Sequence, residues 1–345
     1  MSPHPVSFAI KLNMYAHMPA TPFKTFIEIA RKAEACGFTG AYTIDHLVLP
    51  REIIDAFTET HDPERPYFPE AWTSLTALAT STKSLRIGPQ VSPVSLRTPV
   101  YLAKMAATLD LISEGRLVMQ LGAGWHREEF EAFGFEWDPE FKVRFAKLEE
   151  GVEVVKALWE TDGPANYEGR YYRLKNAPFW PKPVQKPRPP IWFGGTGKSI
   201  RRLVARHGDC WTPAAPHYVG LGADFYKEAL DEIRGHAADF GRNPEEILPG
   251  ALFCTCIAPT REEAHKMASG LFRRSDWASL DLRGLMVKGC VIAGTPEDCA
   301  EGIQRYVEAG VRHFSMSFIP ISDTAKTHRG LELYAERVLP HFQGK

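Results

Sequence analysis

The sequence predicts an α/β protein built as a parallel (β/α)8 TIM barrel, with an open doubly wound sheet as the alternative. Three observations favour the barrel: eight short apolar runs, amphipathic helical segments between them, and polar or glycine-rich stretches directly after the runs. Strands that alternate with helices are typical of a parallel sheet, and eight of them suffice to close a barrel. We expect the 345 residues to form a single domain, residues 1–345.

The first half of the chain contains four predicted strands, at residues 6–12, 40–45, 84–92 and 116–124. Each is a short run rich in apolar, β-branched or aromatic residues, as in GAYTID and SLRIGPQVS. Between them, apolar residues three or four positions apart predict helices. Thr98 and Pro99 supply an N-cap and a first-turn proline, and Gly37 ends the first helix.

The second half contains four further predicted strands, at residues 189–195, 209–214, 250–258 and 312–319. A long periodic helix precedes them, with Phe145, Leu148 and Val152 on one face. Another helix begins at Thr295-Pro296-Glu297-Asp298, which is an N-cap sequence, and ends at Gly310. These signals complete the eight strands of the predicted barrel.

Two segments interrupt the alternation and are predicted to be insertions after strands four and seven. Residues 160–190 are rich in proline and aromatic residues, which indicates an ordered excursion. Residues 273–294 contain apolar residues without a clear period. The second insertion follows a strand at the expected catalytic end of the barrel, so a lid is one interpretation and a peripheral helix pair is the other.

Composition excludes several classes of function. The net charge is −1, which does not favour a nucleic-acid or membrane surface, and no apolar stretch is long enough to span a membrane. We see no secretory signal, and the six cysteines are scattered, as expected for free thiols in the cytoplasm.

The stretch IWFGGTGKSIRR, residues 191–202, is a candidate anion site. A P-loop would need glycine at position 192, which is Trp192, so a triphosphate site is disfavoured. Gly194, Gly195 and Thr196 still lead from a strand into a helix beginning near Lys198, and such a helix start presents free N–H groups to an anion. The alternative is an ordinary tight turn with a surface lysine.

Other motifs are incomplete. GAGWHR lacks the third glycine of a dinucleotide fingerprint, because that position is Arg127. The sequence has no zinc-binding histidine motif and no G-x-S-x-G elbow, so we expect no metal and no serine nucleophile. A cofactor-driven reaction is therefore expected.

Candidate catalytic residues follow the second and fourth predicted strands. Asp45 and His46 lie where the barrel mouth is expected, and a histidine beside an aspartate there favours proton transfer. Glu128 is the candidate acid near the mouth, although carboxylates are also favoured at any helix start.

The chain resembles the bacterial luciferase-like flavin oxidoreductases, (β/α)8 enzymes that use flavin mononucleotide (FMN) or the deazaflavin coenzyme F420. The resemblance spans nearly the whole chain. It is carried by YTIDHLVLP, by the block from GPQVSPVSLRTP to LGAGWHREEFEAFG, by YEGRYYRL with PKPVQKPRPPIWFGG, and by GTPEDCAEGIQRYVEAGVRHF.

The resemblance implies where the cofactor lies. The ring is expected over a bulge at Gln90, Val91 and Ser92, often with a non-proline cis peptide, and beside Gly122, Gly124 and Trp125. Gly194 and Gly195, with Thr196 and Lys198, are expected at the phosphate. In some deazaflavin relatives a glutamate acts as the acid at the position of Trp125; here Glu128 is the candidate substitute.

The function expected from this resemblance is hydride transfer between F420 and a small organic substrate, with His46, positioned by Asp45, exchanging the proton. The alternatives are an FMN-dependent monooxygenase that uses O2 and reduced flavin from a partner reductase, a flavin-binding barrel without turnover, and a metal-free sugar-phosphate isomerase. We expect a homodimer, no nucleic-acid partner and no membrane partner.

Overall fold

The structure is a computed structural model, and it describes residues 3–14, 23–50, 68–214, 221–268, 282–289, 291–319 and 323–344. Its strands are β1 Ser7–Leu12, β2 Gly40–Thr43, β3 Arg86–Pro89, β4 Ser92–Pro93, β5 Met119–Gly122, β6 Ala165–Glu168, β7 Arg173–Ala177, β8 Ile191–Phe193, β9 Cys210–Trp211, β10 Leu248–Ile257, β11 Val291–Gly294 and β12 His313–Phe318.

Parallel strands form a closed barrel. The hydrogen-bonded order is β3-β2-β1-β12-β10-β9-β8-β5-β4, and every pairing along it is parallel. The ring closes because the Ile87 N–H donates to the Arg116 carbonyl and the Val118 N–H donates to the Ile87 carbonyl. The predicted barrel is confirmed, and each of the eight predicted strand runs contains a strand of the wall.

Helices cover the outside of this barrel. They are α1 Lys24–Ala35, α2 Ala71–Ser81, α3 Pro99–Ile112, α4 Arg127–Ala132, α5 Phe141–Glu160, α6 Lys198–His207, α7 Ala223–Asp239, α8 Arg261–Ala268, α9 Leu282–Val287, α10 Pro296–Glu308 and α11 Thr324–Leu333. The predicted N-caps hold: Thr98 accepts from the Tyr101 N–H, and Thr295 with Asp298 forms a capping box.

Both insertion segments contain strands, and only the second differs from its prediction. Residues 160–190 include an antiparallel hairpin, β6 with β7, whose turn is held by N–H bonds to the Glu150 carboxylate. In the second segment, Val291–Gly294 is a strand parallel to β10 rather than part of an aperiodic insertion. Four buried residues are too few to show a period, which explains the error. Of the segment interpreted as a lid, residues 273–294, residues 273–281 and 290 lie outside the described residues.

Side chains alternate between two apolar layers. Phe8, Ile10 and Leu12 of β1 point outward to the core beneath the helices. Ala9 points inward, where it packs with Tyr42 of β2. Three buried residues from other segments of the barrel wall complete this inner cluster: Val118, Trp192 and Cys210. This alternation means that Lys11 and Asn13 of the same chain segment also face the lumen.

No helix within the described residues is both long and apolar enough to cross a membrane.

Candidate active site

The bulge between β3 and β4 is the centre of the site. The peptide bond between Gln90 and Val91 is cis, at the position expected from the resemblance. A Cβ on Gly122 would lie 3.0 Å from Val91 Cγ1, and one on Gly194 would lie 3.9 Å from Val91 Cγ2. The bulge, the turn after β5 and the turn after β8 therefore meet on one rim of the barrel.

Gly124 follows in the turn after β5 with a φ of +80°. A Cβ there would also lie 2.9 Å from Ser95 Oγ. Both observations require glycine, and they keep this part of the rim free of side chains.

The Asp45 carboxylate bonds to the bulge and to the elements packed against it. This carboxylate is buried and accepts hydrogen bonds from Ser92 Oγ at 2.5 Å and Trp72 Nε1 at 3.2 Å. Arg97 Nη1 donates to it at 2.7 Å, and Arg97 Nη2 donates to Glu70 at 2.6 Å. Burial raises the pKa of Asp45, although Arg97 and Ser92 act in the opposite direction.

These contacts correct one expectation. Asp45 was predicted to position His46, but its carboxylate joins the bulge to α2 and to Arg97. Ser92 was predicted to bind the cofactor; its hydroxyl is buried and both donates to Asp45 and accepts from Trp72.

Glu129 positions His46 instead. Its carboxylate is buried and accepts a hydrogen bond from His46 Nδ1 at 2.8 Å. It also accepts from the backbone N–H groups of Leu47 and Val48. Burial acts to raise the pKa of Glu129, but the bonds from His46 and the two N–H groups outweigh it and lower that pKa. An ionised Glu129 fixes Nδ1 as the donor, so Nε2 is the atom left to exchange a proton.

Glu128 does not occupy this place. Its side chain is 79% exposed and accepts from His126 Nδ1 at 3.1 Å. The sequence favoured Glu128, yet Glu129 and Phe130 lie three and four residues after His126, one helical turn away, and all three are buried. That spacing is the signal that identifies Glu129.

Two rings extend the site outward from His46. The Trp125 and His46 rings are 5.6 Å apart, edge to face, and Trp125 stacks on His126 at 5.3 Å. Trp125 remains 51% exposed. It therefore presents an apolar surface directly beside the imidazole.

The predicted anion loop leads into the N-terminus of α6. Gly197 is the N-cap and supplies no side-chain hydrogen bond, so the first N–H groups of α6 are not capped by a side chain of that residue. Lys198 is exposed at the same end. Arg201 is buried and bonds to the Thr196 carbonyl and Glu232, and Arg202 lies over the Phe240 ring, so these two arginines have intramolecular partners.

The lumen below the bulge contains buried amide atoms without hydrogen-bond partners in the described structure. They are Asn13 Oδ1, Gln90 Nε2 and Gln120 Nε2. The other amide atom of each is bonded, to Ser317, Ser315 and Thr212 respectively. Unpaired buried amides are rare, and these three could each take a polar partner such as a water molecule or a ligand.

Within the described part of the chain, no group of three or more His, Cys, Asp and Glu side chains is arranged to hold a metal ion.

Comparison with known proteins identifies relatives over most of the chain. The family model described as luciferase-like monooxygenase matches residues 6–313. The F420-dependent glucose-6-phosphate dehydrogenase of Amycolatopsis mediterranei (strain U-32) is 26% identical over 337 residues, which is 93% of this chain and 95% of the relative.

A second relative matches a shorter part of the chain. The phthiodiolone/phenolphthiodiolone dimycocerosates ketoreductase of Mycobacterium kansasii is 35% identical over 185 residues, 53% of this chain and 48% of the ketoreductase. Among solved structures, an F420-dependent secondary alcohol dehydrogenase in complex with an F420-acetone adduct superposes with a TM-score of 0.81 at 21% identity. That match covers 98% of this chain and 99% of the other.

Proposed function

The chain belongs to the luciferase-like monooxygenase family, and on that premise we propose that it is an oxidoreductase that transfers a hydride between coenzyme F420 and an alcohol or carbonyl carbon. The observation that carries the proposal is the hydrogen bond between His46 Nδ1 and the buried Glu129, at the rim where the bulge and the glycine turns meet. The named relatives support the substrate class, because their names describe two dehydrogenases and a ketoreductase.

The residues present fit a planar ring with a phosphate-bearing tail. Val91 lies beside Gly122 and Gly194, where side chains in place of the two glycines would crowd the rim. The α6 N-terminus and Lys198 offer N–H groups and a positive charge to a phosphate. The unpaired amides of the lumen suit the polar end of a ring.

We assign the cofactor contacts accordingly. Gln90, Val91, Gly122, Gly124 and Trp125 would line the ring. Gly194, Gly195, Thr196 and Lys198 would hold the phosphate through backbone N–H groups and one ammonium. Ser92 would act through its backbone, since its hydroxyl bonds to Asp45.

F420, when bound, supplies the site that accepts or donates the hydride. The protein supplies the accompanying proton transfer. In alcohol oxidation His46 Nε2 would take the hydroxyl proton, and the bound cofactor would supply the hydride acceptor that balances formation of the carbonyl. Glu129 keeps the imidazole in the tautomer that accepts the proton and stabilises the imidazolium that results. Asp45, through Ser92, Trp72 and Arg97, keeps the bulge in place.

The second candidate is an FMN-dependent monooxygenase that receives reduced flavin from a partner reductase. The family description favours it, because the family is named for monooxygenases. The rim and the phosphate loop would suit FMN equally.

Titration of the apoprotein with F420 and with FMN tests the assignment. We expect tighter binding of F420, followed by anaerobic reduction of bound F420 by members of a secondary-alcohol panel. Turnover that requires O2 and reduced FMN would support the second candidate. Binding without any turnover over the panel would support a barrel that only binds the cofactor.

Exposed apolar side chains support a homodimer. Tyr101 of α3 is 69% exposed and Trp180 is 64% exposed, and Lys104 of α3 donates to the Trp180 carbonyl, which brings the two segments together. Sedimentation of the wild type and of a Tyr101→Glu variant would test this.

We further propose that residues 1–345 act as one domain in the cytoplasm. The pairing of β1 with β12 joins the first and last strands of the described chain, which supports a single domain. The cysteines within the described residues form no disulfide, which suits a reducing compartment.

A further inference from the structure

Lys11 lies inside the barrel, where charged side chains are rare. It follows Ala9 on the inward face of β1, and its register partner on β2 is Tyr42, which also faces the lumen. Its own side chain is half-buried. The next inward residue along the chain is Asn13, one of the amides with an unpaired atom.

The neighbours of Lys11 do not neutralise its charge. No carboxylate in the described structure acts on it electrostatically; the neighbouring group that does is the Cys254 thiol. Burial lowers the pKa of Lys11 to about 8. A lysine held in this position without an acidic partner is therefore available to an acidic or electron-rich ligand.

Two of the unpaired amides bond to serines of β12, the strand next to β1. Ala9 of β1 pairs with Ser315 of β12, and Ser315 donates to Gln90. Asn13 donates to Ser317, two residues further along β12. Lys11 thus lies between the two amide-serine pairs along β1. The buried atoms without a partner on either side of it are one donor, Gln90 Nε2, and one acceptor, Asn13 Oδ1. The Lys11 ammonium adds further donors.

We propose that Lys11, with Gln90 and Asn13, binds the pyrimidinedione end of the F420 ring, and that Lys11 stabilises the reduced cofactor over the oxidised one. The assignment rests on the proposed function. A pyrimidinedione edge offers two carbonyl oxygens and one N–H, which can pair with the N–H donors of Lys11 and Gln90 and with the Asn13 acceptor.

The preference for the reduced form follows from charge. A hydride brings two electrons and one proton to the ring, so the ring gains one negative charge, which its pyrimidinedione end delocalises. A lysine ammonium at that end, within a low-dielectric lumen, stabilises the added charge more than it stabilises the oxidised ring.

The test compares the dissociation constants of oxidised and reduced F420, measured anaerobically by fluorescence for wild type, Lys11→Met, Lys11→Arg and the exposed-lysine control Lys24→Met. We expect Lys11→Met to weaken binding of the reduced form by about tenfold or more relative to the oxidised form. Lys11→Arg and Lys24→Met should keep the wild-type ratio within about threefold. An unchanged ratio in a folded Lys11→Met protein overturns the assignment.

A second measurement covers the case in which Lys11→Met fails to fold. For the wild type, the preference for reduced F420 should fall as the pH rises above the pKa of Lys11, whereas Lys11→Arg should keep its preference. Parallel pH profiles for the two proteins overturn the assignment. If the wild type binds F420 in neither redox form, the proposed function is contradicted as well. If it binds F420 and Lys11→Met leaves the ratio of the two dissociation constants unaltered, only the role of Lys11 is contradicted.

Discussion

His46 and Glu129 are 83 residues apart in sequence, yet His46 Nδ1 lies 2.8 Å from a Glu129 carboxylate oxygen. Glu129 also accepts from the N–H groups of the two residues that follow His46, so it holds both the ring and its backbone. A histidine whose ring nitrogens are distinguished in this way is prepared for proton exchange at Nε2.

Replacement of Glu129 by Gln is expected to lower kcat by roughly 10- to 100-fold, because the neutral amide no longer fixes the tautomer or stabilises the imidazolium. The affinity for F420 should change little. Glu128→Gln is the matched control: its side chain is exposed, and we expect a kcat near that of the wild type. Steady-state kinetics on both variants measure these changes. A larger loss of kcat in Glu128→Gln than in Glu129→Gln would support Glu128 as the catalytic acid.

Replacement of His46 by Asn is expected to lower kcat by about 100-fold or more, since the proton then has no acceptor at the rim. Fluorescence titration should show F420 binding within a few-fold of the wild type. His126→Asn, which alters the ring stacked on Trp125, serves as the comparison. Equal turnover in His46→Asn and the wild type would remove His46 from the mechanism.

Lys198→Ala should weaken cofactor binding by about fivefold to tenfold, because an ammonium at a helix N-terminus adds to the attraction for phosphate. The effect should shrink at high ionic strength, since the site is exposed. The exposed Lys227 of α7 provides a control lysine away from the loop. Equal affinities for Lys198→Ala and Lys227→Ala across salt concentrations would place the phosphate elsewhere.

Burial of His313 is expected to lower the free energy of unfolding in acid. Burial lowers its pKa from 6.5 to about 3 in the folded chain. The unfolded chain therefore takes up a proton first as the pH falls, and the free energy of unfolding decreases as the pH drops from about 6.5 towards 3. Urea unfolding at pH 7 and pH 5 should show a smaller decrease for His313→Gln than for the exposed-histidine control His341→Gln. If the free energy of unfolding decreased equally in the two variants, groups other than His313 would cause the acid sensitivity.

Local patterns predicted most of the fold. Apolar runs and N-cap pairs such as Thr98-Pro99 depend on residues close in sequence, and they located the wall strands and the helices between them. The strand Val291–Gly294 was missed because four buried residues show no period. The bulge at Gln90 and Val91 was located by resemblance, and its cis peptide is present.

The partners within the site could not be read from such patterns. Asp45 is adjacent to His46 in sequence, but its carboxylate bonds to Arg97, 52 residues away, and His46 bonds to Glu129. Both pairings are set by how α4 and the bulge pack on the rim. Adjacent residues in an extended segment point in opposite directions, which is why sequence neighbours make a poor guide here.

The buried contact between Asp45 and Arg97 also bears on how this protein can diverge. Loss of Arg97 would leave the buried Asp45 carboxylate without its cation, at a cost of roughly 3–5 kcal/mol, whereas loss of both side chains removes that penalty. Arg97 itself would keep Glu70 as a partner if Asp45 were lost. Single substitutions of Arg97 should therefore be the more damaging, while paired neutral replacements offer a route through which descendants of this barrel acquire a different ring pocket.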